Sequence, residues 1–294
     1  MLFLLVGCAR NPERAAVRQA DSLLDQNRIR PALDVVENYL HQHPKSVPLL
    51  RMRVVVFLRA DRPDLAMIAL RQLPAGLPVL RQLLRHRNGA VRANAAKLIA
   101  QQPCQGDFRD LVSALDDPDP VVRRYCACAL GQLKDANAVR PLFHLLADDD
   151  WFVRAEAATA LGEIGDPRAT GWLIQLLSDG DGYVRFSAAS ALYELASEST
   201  HAVLLHALGS ANAAQRFGIA VALARLRDPA ALDPLASAAL DKDAEVRARA
   251  AEALGECGQP AATNALGLLL DDADPHVRKR ATEALRRIRA GKCS

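Results

Sequence analysis

The stretch DWFVRAEAATALGEIGDP, residues 150–167, decides the fold, because its pattern returns along the chain at a fixed interval of 31 residues. Its arginine, Arg154, belongs to a ladder of arginines that each stand 31 positions after the last. A strict period of this size predicts a solenoid, in which each repeat is a helical hairpin that buries its apolar face against its neighbours. The ladder consists of Arg92, Arg123, Arg154, Arg185, Arg216, Arg247 and Arg278.

Other positions keep the same phase as the arginine ladder. A leucine or isoleucine stands seven residues after each arginine, and small residues such as Ala157 and Ala158 allow helices to stack closely. Glycines at Gly131, Gly162 and Gly255 are expected to close or loosen the last turn of the ladder helix. Four residues before each arginine stands an Asp or Asn that predicts a helix N-cap: Asn88, Asp119, Asp150, Asp181, Asn212, Asp243 and Asp274.

Composition and charge narrow the class of protein. Half of the residues are hydrophobic and only 4% are aromatic, which suits closely packed helices and argues against a β-sandwich. No apolar run reaches the 18 residues or so that a membrane-spanning helix needs. Residues 9–92 hold 15 Lys and Arg against 7 Asp and Glu, whereas residues 93–294 hold 22 against 27. The basic leading segment favours an anionic lipid surface or an acidic partner, or is simply a solvated face.

The first eight residues, MLFLLVGC, form an apolar stretch that ends in a cysteine. This stretch resembles the lipobox of bacterial lipoproteins, although it lacks a basic start and its apolar part is short. The resemblance implies that residues 1–8 are a signal segment, that Cys8 is lipidated, and that the protein is anchored in the cell envelope. Ala9 after the cysteine would imply the outer membrane, periplasmic face, in a Gram-negative cell. The alternatives are an apolar N-terminus packed on the first helix and a cytoplasmic protein.

Residues 9–77 follow a different period, of 34 residues. Ala32 recurs as Ala66, and Pro44 recurs as Pro78. Together with Leu24 and Asn27, these positions resemble the tetratricopeptide repeat, in which a small residue lets two helices approach and proline ends the second helix. The signature aromatic residues of that repeat are missing. We therefore expect N-terminal, tetratricopeptide-like helical hairpins before the 31-residue array.

Residues 78–294 carry the 31-residue array, in which DWFVRAEAATALG and DAEVRARAAEALG (residues 150–162 and 243–255) are close copies of one motif. They resemble HEAT-like repeats of the phycobilisome-lyase type. The resemblance implies an all-α fold: a right-handed α-solenoid of about seven hairpins, with the ladder helices on the concave side. Gln215 departs from the motif, and the last repeat ends in a basic run that is typical of a polar cap.

The sequence contains none of the usual catalytic or metal-binding patterns. It has no His-Glu dipeptide, no cysteine pair with zinc spacing, no glycine-rich phosphate loop and no Gly-x-Ser-x-Gly motif. We therefore predict no catalytic residue, no metal site, no cofactor and no small-molecule substrate. The ladder arginines are interpreted as structural, each bonding the capping Asp or the turn carbonyls of a neighbouring layer.

The candidate binding residues lie one, two, five and nine positions after the ladder arginines, and in the turns before them. Those positions are free to face the concave groove, and they vary between repeats in a chain that is poor in aromatic residues. Aromatic residues and arginine are frequent in protein interfaces, although these rings could instead pack between neighbouring turns. The predicted partner-binding strip consists of Arg124, Tyr125, Trp151, Phe152, Glu163, Tyr183, Phe186, Glu194, Phe217 and Arg225.

These observations favour a non-enzymatic scaffold or adaptor that binds a protein or peptide in the groove and is anchored through Cys8. One alternative is a nucleic-acid-binding solenoid, which the groove glutamates oppose because they repel phosphate. Another is an accessory subunit of a lyase or other enzyme, which the repeat type suggests but does not establish, since a fold does not determine a function. The opposing glutamates are Glu156, Glu163, Glu194, Glu252 and Glu256.

Overall fold

The computed structural model describes residues 11–73, 76–210 and 213–290. Within these ranges the regular elements are α-helices and short 3-10 helices, with no strand, so the predicted all-α solenoid class is confirmed. Cys8 with its lipobox, and the predicted cap Asn212, lie outside the described residues. No helix in the described ranges is long and apolar enough to cross a membrane.

The chain divides into two compact units, residues 1–129 and 130–294. The predicted division into residues 9–77 and 78–294 stays a prediction. The first unit contains α1 (Pro12–Asp25), α2 (Ile29–Gln42), α3 (Val47–Arg59), α4 (Pro63–Leu70), α5 (Gly76–Leu83), α6 (Gly89–Gln101) and α7 (Phe108–Ser113). The helix α8 (Pro120–Leu133) contains the point of division.

The second unit alternates short helices with the longer ladder helices. The short or non-ladder helices are α9 (Val139–His144), α11 (Thr170–Leu176), α13 (Glu198–Ser210), α15 (Leu232–Ala238) and α17 (Ala262–Leu268). The ladder helices are α10 (Trp151–Ile164), α12 (Gly182–Leu195), α14 (Ala213–Arg225), α16 (Ala244–Cys257) and α18 (Pro275–Ala290). Successive ladder helices pack side by side, and their leucines at the seventh position, such as Leu161 and Leu192, are fully buried.

In the first unit the turns after α1 and α3 repeat the 34-residue spacing. Asn27 and Asp61 both adopt the left-handed backbone region, with φ of 58° and 52°. Asn and Asp tolerate this region better than most residues, because their short polar side chains bond locally. More than half of the residues of α3 are buried, which agrees with its apolar segments on either side of Arg51 and Arg53. The two hairpins therefore follow the predicted period, while their kinship to the tetratricopeptide repeat stays a prediction.

The predicted helix caps are observed. The Asp150 carboxylate accepts hydrogen bonds from the backbone N–H groups of Phe152 at 2.8 Å and Val153 at 3.3 Å. Asp181 caps α12 in the same way, and Asp243 caps α16. Each cap satisfies N–H groups that the first turn of a helix leaves without partners, which contributes about 1 kcal/mol. The caps fix where each ladder helix begins.

Arg92, Arg154 and Arg247 each bond an Asp in the turn of the following repeat, and that Asp is not the predicted capping residue. Arg154 donates from Nε and Nη2 to Asp179 of the following repeat, at 2.8 and 3.0 Å. Asp179 stands two residues before the cap Asp181, and it also accepts from the N–H of Asp181 at 2.8 Å. The capping carboxylate is occupied by its own helix, so the arginine bonds the carboxylate that precedes it.

Several ladder arginines also hold the turn from which their own helix starts. Each donates from Nη1 to the carbonyl oxygen six residues earlier, at 2.7–2.9 Å, in Arg92, Arg123, Arg154, Arg185, Arg247 and Arg278. Bidentate pairs like that of Arg154 join Arg92 to Asp117 and Arg247 to Asp272. A guanidinium offers five N–H donors in a rigid fork, which suits it to clamp two segments at once. These bonds hold the turns of the repeats in place, and the interpretation of the whole ladder as structural stays a prediction.

Of the expectation that Gly131, Gly162 and Gly255 close or loosen the last turn of their helices, the closing part is wrong. Gly162 and Gly255 lie inside helices, and α10 and α16 end three residues later at Gly165 and Gly258, whose φ values are 77° and 67°. Gly131 also lies inside its helix, α8. Glycine adopts positive φ without a steric penalty, which explains why the true helix ends carry it.

The internal glycines instead allow close approach of neighbouring helices. A Cβ atom added at Gly162 would lie 2.8 Å from the Cα of Ala191, and one at Gly255 would lie 2.6 Å from the Cβ of Ala284. A Cβ at Gly131 would likewise meet the next ladder helix at 2.7 Å. Real Cβ atoms do not make contacts this short. At Gly131, Gly162 and Gly255, adjacent ladder helices therefore approach more closely than a residue with a Cβ atom would allow.

Candidate partner-binding groove

The ladder helices α10, α12, α14 and α16 of the second unit line a groove that contains two adjoining cavities. The first has a volume of about 340 Å³. We call it the acidic cavity, and its polar lining includes Glu163, Tyr193, Glu194, Arg249, Glu252 and Glu256. The second has a volume of about 260 Å³. We call it the apolar cavity, because most of the residues that line it are uncharged and include Leu177, Phe186, Ala189, Phe217, Gly218 and Val246. The charged residues Arg185, Asp243, Glu245 and Arg249 also line it.

The repeat register explains which residues reach the acidic cavity. Its lining residues stand mainly two, five and nine positions after their ladder arginines. The other positions of these helices, such as Leu192 and Ala188, are buried between layers. On α14 the second and fifth positions hold Gly218 and Val221, which are small. Space is therefore left between α12 and α16.

Tyr193 crosses that space. Its hydroxyl donates a hydrogen bond to Oε1 of Glu256 on α16, at 3.1 Å. Tyr193 occupies the eighth position after its arginine, where Gly162 and Gly255 stand in other repeats. Burial, followed by the charge of Glu256, raises the pKa of the tyrosine, so it remains a neutral donor at neutral pH. One aromatic side chain thus links ladder helices that are two repeats apart.

Arg225 covers the outer face of the same tyrosine. Its guanidinium carbon lies 4.5 Å from the centre of the Tyr193 ring. Its Nη1 donates to the Tyr193 carbonyl oxygen at 3.0 Å and to Oε2 of Glu194 at 3.3 Å. Stacking on an aromatic face combined with a carboxylate contact is a favourable setting for arginine. Tyr193 and Glu194, which line the acidic cavity, thus contact a guanidinium of the same chain.

Two carboxylates of the acidic cavity, those of Glu163 and Glu256, have a raised pKa. Partial burial, followed by the charge of Glu156, raises the pKa of Glu163. Burial also raises the pKa of Glu256; the hydrogen bond from Tyr193 opposes this shift and the charge of Glu252 adds to it. A raised pKa of a carboxylic acid means that its surroundings favour the neutral form. A cation in the cavity would stabilise the ionised form of these glutamates and lower their pKa.

Arg249 separates the two cavities and lines both of them. Its guanidinium carbon lies 4.0 Å from the centre of the Phe186 ring, and its Nη2 donates to Oγ of Ser190 at 3.4 Å. Burial lowers the pKa of Arg249, an effect that the charges of Glu245 and Glu252 oppose. The arginine thus forms a partition with an aromatic face on one side and carboxylates on the other.

An exposed aromatic cluster adjoins the apolar cavity at the N-terminal ends of α10 and α12. Trp151 lies 4.5 Å from Phe152 and 5.7 Å from Tyr183, measured between ring centres, and Tyr183 lies 6.2 Å from Phe186. The fractional exposure of Trp151 is 41%, that of Tyr183 is 52% and that of Phe186 is 41%. The rings pack on each other and still face solvent. In a chain with 4% aromatic residues, this is a concentrated apolar surface.

The structure places the predicted strip residues in two groups. In the second unit, Trp151, Phe152, Tyr183 and Phe186 form the aromatic cluster. Glu163 and Glu194 line the acidic cavity, where Arg225 covers Tyr193, and Phe217 lines the apolar cavity beside Phe186. Arg124 and Tyr125 belong to the first unit, where the arginine stacks on the tyrosine at 4.6 Å. That the strip binds a partner stays a prediction.

Two groove residues were missed by sequence reasoning. Tyr193 stands at the eighth position, which was not counted among the positions that face the groove. Its signal was available, because a tyrosine replaces the glycine of Gly162 and Gly255. Arg249 stands at the second position but was not singled out, since a lone arginine in an Ala-rich helix has no distinctive pattern. The predicted absence of a metal site stays a prediction; residues 11–73, 76–210 and 213–290 hold no group of three or more His, Cys, Asp or Glu suited to an ion.

Solved structures with a similar chain path include proteins of several kinds. One is human deoxyhypusine hydroxylase in complex with glycerol, 24% identical over 78% of this chain and 99% of that chain, with a TM-score of 0.32. Another is the complex of CpcE and CpcF of phycocyanin lyase from Nostoc sp., 21% identical over 72% and 94%, with a TM-score of 0.46. A third is a designed armadillo repeat protein in complex with the peptide (KR)4, 22% identical over 72% and 99%, also with a TM-score of 0.46. Similarities with identities and TM-scores this low do not assign a function to the chain.

The family comparison is more specific. No curated protein sequence matches the chain. The family of HEAT repeats matches three overlapping ranges, residues 108–192, 170–245 and 237–292, which together cover more than half of the sequence. These ranges contain the arginine clamps, the caps and the close glycine contacts of the second unit. The chain belongs to the HEAT repeat family.

Proposed function

We propose that this HEAT repeat protein is a non-enzymatic scaffold, and that the groove on α10, α12, α14 and α16 holds an extended segment of a partner protein. The observation that carries the proposal is the continuity of the exposed aromatic cluster with the two cavities. Tyr183 belongs to the cluster, Phe186 belongs to both the cluster and the apolar cavity, and Arg249 leads into the acidic cavity. The groove is therefore one surface with a central apolar part and a polar end.

The chemistry of the surface suits a polypeptide. Interface cores are enriched in aromatic residues and arginine, and a few such residues usually provide most of the binding free energy. The larger cavity falls within the range of ligand pockets, which begins at about 300 Å³. Both cavities open along the same helices, so neighbouring side chains of one bound segment could enter them together.

The polar groups of the groove favour binding over catalysis. Ser187 and Ser190 line the acidic cavity, but the partner of Ser190 is Arg249, which cannot act as a base. No histidine lines either cavity in the part of the chain that the structure describes. The groove glutamates also oppose the nucleic-acid alternative, because a phosphate backbone would be repelled there.

A display experiment tests the groove directly. A library of random 12-residue peptides is selected on the full chain, and the selected peptides are then measured against the double variant Phe186→Ala/Phe217→Ala. We expect selected peptides to lose at least about tenfold in affinity, since truncating an interface hot spot commonly costs 2 kcal/mol or more. Helical circular dichroism should be unchanged.

Phe143→Ala is the matched control. Phe143 lies on α9, is 37% exposed and packs on Trp172 at 4.3 Å, away from the residues that line the groove. It should leave the affinity unchanged. The proposal is overturned if no peptide is selected, or if the double variant binds the selected peptides as the wild type does.

We also propose that the protein is anchored in a bacterial envelope membrane through a lipid on Cys8. The support is the sequence of residues 1–8 alone. A multiply acylated cysteine anchors firmly, because each buried CH₂ contributes about 0.8 kcal/mol. Mass spectrometry of the mature protein should find an acylated Cys8 at the N-terminus. An intact Met1 would contradict the proposal.

A further inference from the structure

We infer that the partner segment carries an arginine or lysine two or three positions away from a large apolar residue, the basic side chain entering the acidic cavity and the apolar one entering the apolar cavity. The inference rests on the proposed function, because it specifies the chemistry of the segment that the same groove would hold. It commits the groove to one class of occupant, a basic-apolar stretch of a protein.

The two cavities follow one another along α16. On α16 the apolar cavity is lined between Asp243 and Arg249, and the acidic cavity is lined between Arg249 and Glu256. A rise of 1.5 Å per residue puts the centres of these two stretches about 10 Å apart. An extended chain advances about 3.3 Å per residue, so that distance corresponds to about three residues. Because side chains two positions apart point to the same face of an extended chain, we expect the basic and the apolar side chain to stand two or three positions apart.

The charge of the acidic cavity lining is complementary to a basic side chain. The lining of the acidic cavity includes four glutamates and one arginine. Three of the glutamates also have an arginine at the rim, and each of these contacts uses a single carboxylate oxygen: Arg225 with Glu194 Oε2, Arg280 with Glu252 Oε1, and Arg287 with Glu256 Oε1, at 3.3, 2.9 and 4.0 Å. Burial raises the pKa of Glu163 and the charge of Lys134 partly offsets this rise, but no hydrogen bond or ion pair joins Glu163 to another of the described residues. Acceptor capacity therefore remains for an incoming cation.

Two arginines of the chain itself show how a guanidinium can bind at this wall. Arg225 stacks on Tyr193 and bonds a carbonyl and a carboxylate, while Arg249 stacks on Phe186. A basic side chain of a partner would meet the same kinds of group from the open side of the cavity. Arginine should be preferred over lysine, because its planar fork can bond two carboxylates at once.

The apolar cavity can hold a large apolar side chain. Leu177, Phe217 and Val246 line it, and Phe186 closes it toward Arg249. Adding a Cβ atom at Gly218 would meet the Cδ2 atom of Leu177 at 2.4 Å, so only glycine leaves this part of the wall as it is. A leucine, phenylalanine or methionine of the partner would bury its side chain there, away from water.

The inference is tested by sequencing the peptides that are selected on the full chain. We expect enrichment of Arg or Lys two or three positions from a large apolar residue. The affinity of the best peptide should fall about tenfold in Glu163→Gln/Glu252→Gln, because charge-assisted hydrogen bonds are lost. It should fall as the salt concentration rises. Glu198→Gln, at an exposed position on α13, is the matched control and should have no effect.

The outcomes separate this inference from the proposed function. Selected peptides that are apolar but not basic, and that bind Glu163→Gln/Glu252→Gln normally, would overturn the inference and leave the groove function standing. Enrichment of acidic residues, with binding lost in Arg249→Gln, would overturn it in favour of the opposite charge. Binding of a duplex DNA probe with no peptide selected would overturn both.

Discussion

The hydroxyl of Tyr193 lies 3.1 Å from Oε1 of Glu256, across two repeats and 63 residues of sequence. The bond joins α12 to α16 past α14, whose side chains at that point are small. The bond crosses the acidic cavity, and Tyr193 stands at the position that Gly131, Gly162 and Gly255 occupy in other repeats. A local exception to the repeat pattern thus coincides with the candidate site, as is common for sites that a fold must accommodate.

Tyr193→Phe removes this bond and keeps the ring. We expect the free energy of unfolding to fall by about 1 kcal/mol. The pKa of Glu256 should rise further, because the hydrogen bond from Tyr193 now lowers it. Urea denaturation measures the first effect and an NMR titration of the glutamate side chains measures the second. Tyr39→Phe, whose ring packs on His43 in the first unit, is the control. An unchanged pKa of Glu256 would show that the bond is absent in solution.

Glu256→Gln should make the protein more stable at neutral pH. Burial raises the pKa of Glu256, so the folded state holds this proton more tightly than the unfolded state does. Its contribution to stability is fully present below the unfolded pKa of about 4.3 and is lost as pH rises through the higher folded pKa. The groups that face it are Tyr193, Glu252, Arg225 and Arg287.

The measurement for Glu256→Gln is the urea midpoint at pH 7 and at about pH 4. The variant should exceed the wild type at pH 7, and its advantage should shrink at the lower pH. A lower midpoint at pH 7 would mean that the rim arginines stabilise the ionised glutamate more than burial disfavours it.

Arg154→Ala breaks one rung of the ladder. It leaves Asp179, whose side chain is 10% exposed, without its guanidinium partner. We expect a loss of about 2–4 kcal/mol in the free energy of unfolding, because an ion pair this buried leaves an uncompensated charge when one partner is removed. Arg168→Ala removes an arginine whose side chain is 63% exposed and should change the urea midpoint little. Equal effects of the two variants would contradict a clamping role.

Asp272 should make the second unit sensitive to acid. The hydrogen bond from Arg247 lowers the pKa of Asp272 below its ordinary value. The stability that this pair contributes is present above the unfolded pKa of about 3.9 and is lost as pH falls through the folded pKa. Asp272→Asn should therefore show a flatter dependence of the urea midpoint on pH below 4 than the wild type does. Parallel curves would show that the pair does not persist in solution.

Gly162→Ala tests the close contact between α10 and α12. Helix propensity alone would make alanine more stable by about 1 kcal/mol. Because the new Cβ atom would lie 2.8 Å from the Cα of Ala191, we expect a net loss of about 1–3 kcal/mol instead. Gly267→Ala in α17, where a Cβ atom meets nothing within 4 Å, should stabilise the protein. Stabilisation in both variants would show that the helices can move apart freely.

The period of 31 residues predicts most of the fold and part of the site. Asp150 and Asp181 cap helices where the spacing puts them, and Leu161 is buried for the same reason. The aromatic cluster could be anticipated, because Trp151 and Tyr183 occupy nearly equivalent turns of adjacent repeats. Contacts across two repeats could not be anticipated, since they depend on how closely successive helices stack rather than on the period.

The role of Gly162 shows the same limit. The sequence places a glycine near the end of a helical pattern, where a helix stop is the usual interpretation. The sequence does not show whether Gly162 ends its own helix or allows the neighbouring helix to pack closely. The structure shows the second, because Ala191 of the next repeat packs directly against Gly162. The partition formed by Arg249 between two cavities likewise emerges only from packing.

The measurement that tests the groove most directly uses Trp151 as a reporter. The chain has two tryptophans, so Trp172→Phe leaves Trp151 as the sole source of tryptophan fluorescence. Titration with a selected peptide that carries a basic and an apolar residue should shift the Trp151 emission to shorter wavelength and saturate at the binding affinity. The shift should disappear when Phe186→Ala/Phe217→Ala is added. A peptide that binds this protein without changing Trp151 emission, and equally well without Phe186 and Phe217, would contradict the account.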